Sequence, residues 1–207
     1  MEVVRQTNQP RGPIHLIVDS TGLQIVGEGP WVAAKHGVRG TREWRKLHIG
    51  VDEDGFIVAQ CLTESRVDDA SVVSDLLSQW SGGVDRFTAD GAYDKTAVFH
   101  LLAEKGVEIV VPPAKNARVS RSDAAGARAR NANVESVREL GRRQWKTHVG
   151  YHQQARVENA FYRYKQLIGG RLRSRNIVAQ ATEVRLAINV LNRMLDLGAA
   201  RSEPIHN

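Results

Sequence analysis

Three carboxylates stand where a folded chain could use them for chemistry. Asp19 closes the apolar run His15-Leu16-Ile17-Val18, and Ser20-Thr21-Gly22 follow it. Asp90 closes a second short run, Phe87-Thr88-Ala89, with Gly91 behind it. An ionised aspartate costs several kcal/mol to bury without a partner. A strand that carries one to its end therefore either caps a turn there or holds a ligand. Asp-Ser-Thr-Gly is good turn chemistry, and each aspartate alone reads as a turn residue. Two of them together point to a site, because ligands of α/β sheets bind at strand ends.

The third carboxylate, Glu158, lies in residues 151–168, a stretch without Pro or Gly. That absence predicts a helix. Helical residues turn by about 100° each, so Tyr151, Glu158 and Lys165 share one face, which Gln154 joins. A solvated face carrying Glu–Lys pairs has the same pattern. Two aspartates and a glutamate offer the hard oxygen ligands that Mg²⁺ prefers. A pair of such ions can stabilise both the attacking and the leaving oxygen of a phosphoryl displacement. Residues so far apart in sequence can meet only through a fold. The seven His form no zinc pattern, since no His pair at i, i+4 encloses a Glu and Cys61 has no second thiol beside it.

The elements that must position these groups follow from periodicity and turn residues. Residues 14–26 read as a first strand, interrupted by a turn at Gly22. Residues 44–51 and 56–62 read as a hairpin around Asp54-Gly55. Residues 68–80 predict a helix opened by Asp68 or Asp69, and 84–90 a short strand. A helix closed by Gly106 and a buried strand stopped by Pro112-Pro113 come next. Residues 114–141 are rich in Ala, Arg and Asn, so the basic segment 114–149 is expected to be a mobile loop or an irregular helix. A last helix spans about residues 178–197, with Val184, Ile188, Leu191 and Leu195 on one face. This order predicts an α/β fold, a mixed sheet with helices on its faces. One domain over 14–198 is expected, with a linker-like tail at 1–13 and a C-terminal tail at 199–207.

Composition narrows the function. The chain has 207 residues, 42% of them apolar, enough for one sizeable core. No apolar run approaches the roughly 20 residues of a membrane span, and the first 13 residues hold no signal-peptide core. With a single cysteine, the chain reads as cytoplasmic, with no membrane partner. The net charge of +6 is unevenly spread: residues 114–175 hold 15 Lys+Arg against 4 Asp+Glu, and the rest 14 against 19. A basic half beside an acidic half suits a polyanion held next to a carboxylate-rich site; a solvated basic surface is the alternative. Trp145 reads as a core residue or a stacking platform, and Trp31 and Trp44 as packing residues.

Four segments then carry a resemblance: IVDSTGL, KHGVRGTREWRKLHIGVDEDGFIVAQCLTESRVDDASVVSDLL, FTADGAYD and YHQQARVENAFYRYKQLIGGRLRSR. In order, from His15 to Leu197, the chain resembles the bacterial insertion-sequence transposases of the Asp-Asp-Glu type, most closely the insertion sequence five family. The resemblance implies a ribonuclease H-like mixed sheet with helices on both faces. It implies a triad of Asp19, Asp90 and Glu158 that holds two Mg²⁺ ions, with Mn²⁺ as a substitute. The implied reaction is cleavage of DNA strands at the element's ends and strand transfer into target DNA. Double-stranded DNA is the implied partner, a homo-oligomer the implied active form, and the bacterial nucleoid the implied location.

The family's late-helix signature is Tyr, two residues, Arg, three residues, Glu, six residues, Lys. Tyr151, Glu158 and Lys165 match it, and Gln154 stands where the Arg is expected. The resemblance places Tyr151, Gln154 and Lys165 at DNA, with a weaker phosphate contact from Gln154 because the charge is gone. Backbone contacts are expected from Arg118, Arg121, Arg128, Arg130, Arg142, Arg143, Lys146, Arg171, Arg173 and Arg175. Lys35, His36, Arg39 and Arg42 form a second basic stretch near Asp19. Family members usually carry a further N-terminal region that recognises transposon ends, whereas 14 residues precede His15 here. The chain therefore reads as the catalytic portion, either a truncated copy or the downstream product of a split frame, with an N-terminal-half protein as a candidate partner. Two alternatives stand beside this reading: a non-catalytic remnant that binds DNA or modulates transposition, and a ribonuclease H-like nuclease with another substrate.

Overall fold

The computed structural model describes residues 12–26 and 43–198. Lys35, His36, Arg39, Arg42 and Trp31 lie outside the described residues, as do most of the two tails. Among the described residues the sheet has six strands: β1 (Ile14–Ile25), β2 (Trp44–Val51), β3 (Ile57–Glu64), β4 (Val84–Thr88), β5 (Glu108–Val110) and β6 (Arg171–Leu172). Five α-helices accompany them: α1 (Val73–Ser78), α2 (Thr96–Glu104), α3 (Ala125–His148), α4 (Ala155–Leu167) and α5 (Ile177–Asp196).

The strand order is β3-β2-β1-β4-β5, with β6 added to β1. β2 runs antiparallel to β1 and β3, while β1, β4, β5 and β6 are parallel where they pair. This is the mixed α/β sheet with helices on both faces that the sequence predicts. The expected hairpin is present. Asp52 Oδ1 accepts from the N–H groups of Asp54 and Phe56, and Gly55 takes the left-handed conformation the turn needs.

Alternation along β1 sends residues to opposite faces. Leu16 and Val18 pack with Phe87, Leu76, Phe99 and Leu102 under α1 and α2. Ile17 and Leu23 pack with Val157, Phe161, Val184 and Ile188 under α4 and α5. Both faces are covered, so β1 is apolar and buried from Leu16 to Val18 and again at Leu23. Two buried amides of α5 lock the second layer down. Asn192 exchanges both backbone hydrogen bonds with Ile57, and Gln180 accepts from Arg45 and donates to the carbonyl of Ser174.

One expectation is corrected, and one choice between alternatives is decided. β1 does not turn at Gly22 but runs straight through it, paired with β2 as far as Gln24 against Trp44. Gly22 serves the neighbouring strand instead: a Cβ there would lie 3.3 Å from the Trp44 ring. The basic segment is not a loop over most of its length: residues 125–148 form α3, a helix interrupted at Gly141 (φ 75°, ψ 150°), which is the irregular helix of the two alternatives. Its polarity hid it. Only Gly126, Ala127, Val134 and Trp145 of this helix are buried, too narrow a stripe to read as periodicity.

Gly126 is where α3 meets α2. A Cβ at this position would fall 2.5 Å from the backbone nitrogen of His100 and 2.7 Å from the carbonyl carbon of Phe99. Backbone cannot swing aside as a side-chain tip can. Gly126→Ala is therefore expected to force the helices apart and cost about 1–3 kcal/mol, read as a fall of several degrees in Tm. An unchanged Tm would show that α3 is not seated as described.

Candidate active site

Asp19 and Asp90 come together through strand register. β4 pairs with β1 only as far as Ile17 against Thr88. Each aspartate lies two residues beyond that last pair, so both fall level, and alternation puts them on the face that α4 covers. Asp19 is thus not at the end of its own strand. It sits mid-strand, where the neighbouring strand stops. Its Oδ1 accepts from the Ser20 N–H at 2.7 Å. Asp90 caps the 3₁₀ turn Gly91–Tyr93, with its Oδ1 accepting from Ala92 N at 2.9 Å. The turn reading of Asp90 is right, and it leaves the second oxygen of that carboxylate free to face a ligand.

Glu158 comes from the first turn of α4 and is exposed. Val157, Ala160, Phe161 and Tyr164 bury the opposite stripe of the helix against β1 and β2. The helix does not begin at Tyr151 as expected. Gly150, left-handed at φ 63°, turns the chain out of α3, and Tyr151–Gln154 form a 3₁₀ turn before α4 starts. Tyr151 is half-buried, its ring 6.3 Å from that of Trp145 and capped by Lys146 Nζ at 4.6 Å. Trp145 itself is fully buried, as a core residue should be.

Gln154 is the clearest departure from expectation. It is 4% exposed and cannot reach a phosphate. Its Nε2 donates to the Val18 carbonyl at 3.2 Å. The residue four before Glu158 is thereby tied to the residue just before Asp19.

The charges confirm the convergence. Burial, followed by repulsion from Asp90, Glu158 and Asp69, pushes the Asp19 carboxyl up to about 6, against a stabilising hydrogen bond from Ser20. Burial and then Asp90, Asp19 and Glu158 push the Tyr151 phenol up to about 12. Asp69 is a fourth carboxylate that the sequence offered only as a helix cap. Lys46 Nζ lies 3.0 Å from its Oδ1, and His48 Nδ1 lies 3.5 Å from the same atom. Burial drops His48 to about 4 despite Asp69, so the ring is neutral at pH 7 and only Lys46 pairs ionically. Tyr93, fully buried, has a hydroxyl without a hydrogen-bond partner, and burial and then Asp69, Asp19 and Asp90 raise its pKa.

Among the described residues no three His, Cys, Asp or Glu side chains form a ready-made metal cage. The donor set still suits a hard cation: burial, and after it the charges of Asp90, Glu158 and Asp69, raise the Asp19 carboxyl to about 6, and a cation bound there would offset both.

The basic residues divide into two groups. Arg130 is withdrawn from solvent, its Nε and Nη2 lying 2.6 and 2.9 Å from the Asp94 carboxylate. Arg142 donates to the Pro113 carbonyl, and Arg128 to that of Asp123. Arg143, Lys146, Lys165, Arg171, Arg173 and Arg175 are exposed. Glu183 fixes the loop bearing the last three by accepting from the N–H groups of Arg173 and Ser174.

Residues 10–193 match the family described as the transposase DDE domain. The chain belongs to that family. The DDE domain is also similar to a solved chain in a cryo-EM structure of the piggyBac transposase synaptic complex with hairpin DNA, with a TM-score of 0.47 and 10% identity. That alignment covers 89% of this chain and 47% of the other, so the chain spans about half the length of its structural neighbour. No described helix of the DDE domain is long and apolar enough to cross a membrane.

The pH dependence of stability follows from Asp19. Its carboxyl rises from the ordinary 3.8 to about 6 on folding, so the native chain holds the proton more tightly than the unfolded one. Ionising Asp19 therefore costs stability, fully above about pH 6 and not at all below about pH 4. Without divalent cations, Asp19→Asn should raise stability at pH 7.5 by about 1–2 kcal/mol after solvent screening. At pH 4 it should change little. Thermal melts at the two pH values check this, and a variant less stable at pH 7.5 would contradict it.

Proposed function

We propose that the chain is the catalytic portion of a transposase, which cleaves DNA strands at the ends of a mobile element and joins them to target DNA. The observation that carries this reading is the level placement of Asp19 and Asp90 where β1 and β4 part, with Glu158 on α4 near enough for its charge to act on Asp19. Membership of the transposase DDE domain family supports the reaction class.

Asp19, Asp90 and Glu158 would hold two Mg²⁺ ions, with Mn²⁺ as a substitute. When bound, such ions acidify water and stabilise the attacking and leaving oxygens of a phosphodiester displacement. The chain's own residues supply the rest. Gln154 fixes α4 against β1, so the distance between Glu158 and Asp19 is set before substrate arrives. Tyr151, its phenol pushed up to about 12, keeps its proton at neutral pH and would donate a hydrogen bond to a phosphate held there. Lys165, two turns beyond Glu158 on α4, would hold the backbone next to the scissile phosphate. Arg143, Lys146, Arg171, Arg173 and Arg175 would bind phosphates along the strand without reading sequence. Double-stranded DNA, a homo-oligomeric active form, a separate end-recognition protein and a bacterial nucleoid setting complete the proposal. The motifs of the sequence favour the insertion sequence five group within the family.

Two tests separate the residues. Glu158→Gln or Asp90→Asn should lower cleavage and strand transfer on short end-bearing duplexes by about 10³-fold or more, with DNA binding in EDTA intact. Wild-type rates in either variant would refute the triad. Gln154→Leu keeps the volume but loses the donor. It should lower Mg²⁺-dependent cleavage and Mn²⁺ affinity by about 10- to 100-fold, as expected for a group that orients ligands. Equal Mn²⁺ affinity in variant and wild type would reduce Gln154 to a packing residue.

A further inference from the structure

Trp44 was expected to be a packing residue, yet 42% of it is exposed. One side of its ring rests on Gly22, where no side chain intervenes. Around it lies an open groove of about 460 Å³, lined by Gln24, Val26, Ile168, Gly169, Gly170, Arg171 and Arg173 besides Trp44 itself. That volume falls within the roughly 300–1,000 Å³ of clefts that take small ligands. Val26 and Ile168, both exposed, give its rim apolar surface. Arg171 and Arg173 flank Leu172, which is buried, so alternation turns both guanidinium groups to the opposite, groove side. The loop is not free to withdraw them. β6 pairs with β1 at Gln24 and Ile25, and Glu183 holds the backbone of Arg173 and Ser174.

An exposed indole beside two guanidinium groups on a fixed backbone has the chemistry of a site for single-stranded nucleic acid: a ring to stack a base and cations for the phosphates on either side. The groove also lies along the strand's path. From Glu158 to Leu167 the axis of α4 runs about 14 Å, and from Asp19 to Gln24 β1 runs about 17 Å. Lys165 stands between the two ends. At about 3.4 Å per base step, the groove lies roughly four or five steps from the carboxylates.

We propose that the groove between Trp44 and Arg171–Arg173 holds one unpaired DNA base, stacked on the indole, while a phosphate of the same strand is at the carboxylate site. The proposal rests on the reading of the chain as a DNA-processing enzyme. Apolar residues at the rim would also suit a second copy of the chain, but the paired arginines favour a polyanion.

The experiment measures binding in EDTA, so that catalysis does not enter. Fluorescence anisotropy compares a 12-nucleotide oligothymidylate with the same strand made wholly abasic. Trp44→Ala should weaken binding of oligothymidylate about 10-fold or more and leave abasic binding unchanged. Trp44→Phe should restore most of the loss, and Trp44→Leu, which keeps the packing on Gly22, should not. Arg171→Ala with Arg173→Ala should weaken both ligands. Equal loss for the two strands in Trp44→Ala, or no loss, would overturn the base-stacking site while leaving DNA binding in place. A change of oligomeric state by sedimentation, without a change in oligonucleotide affinity, would assign the groove to a second copy instead. Failure of the wild type to bind either strand would overturn both this proposal and the DNA reading on which it rests.

Discussion

One edge of β1 carries an opening on which the site depends. β4 pairs with β1 only from Ile14 to Ile17, and β6 joins the same strand only at Gln24 and Ile25. Between them the backbone of β1 must find other partners, because buried carbonyls and N–H groups left alone are costly. Gln154 supplies one by donating to Val18, and the Asp19 carboxylate takes the N–H of Ser20. Asp19 and Asp90 each stand two residues past the last pair of β1 and β4, at the mouth of that gap.

Holding such charges together needs a scaffold that cannot relax. The Arg130–Asp94 pair ties α3 to the turn capped by Asp90, and Asp94 also accepts from Ala114 N. Arg86 of β4 donates to the Val149 carbonyl at the end of α3, just before Gly150 redirects the chain toward Glu158. Asp69 is held off by Lys46. Some arginines that sequence alone would assign to DNA thus fix the scaffold around the carboxylates, while Arg143 of α3 and those of the β6 loop are exposed.

The sequence disclosed most of this frame for physical reasons. Asp54-Gly55 between two alternating runs can only be a hairpin, and Asp19 and Asp90 stood out because charges rarely follow buried runs. Other features depend on contacts far along the chain. The straight passage of β1 through Gly22 follows from Trp44 lying over it, and the seating of α3 from Gly126 touching α2. Gln154 looked solvent-facing because a continuous helix from Tyr151 would share its face with Glu158. The 3₁₀ turn rotates it inward. Asp69 stayed hidden because a cap at a helix start is its ordinary use, and only Lys46 and His48 across the sheet reveal its neighbourhood.

The bonds between Asn192 and Ile57 join positions 135 residues apart. Contacts of that span are paid for in loop-closure entropy before they give anything back, which slows folding. During synthesis β3 emerges long before the helix that satisfies its first residue. Until that helix docks, Ile57 has an open backbone edge beside a strongly apolar strand. The chain therefore passes through a period in which its sheet is formed in part and is exposed to mispairing. The helix bearing Glu158 shares its core with that later helix, so the seating of one carboxylate depends on chain made after it.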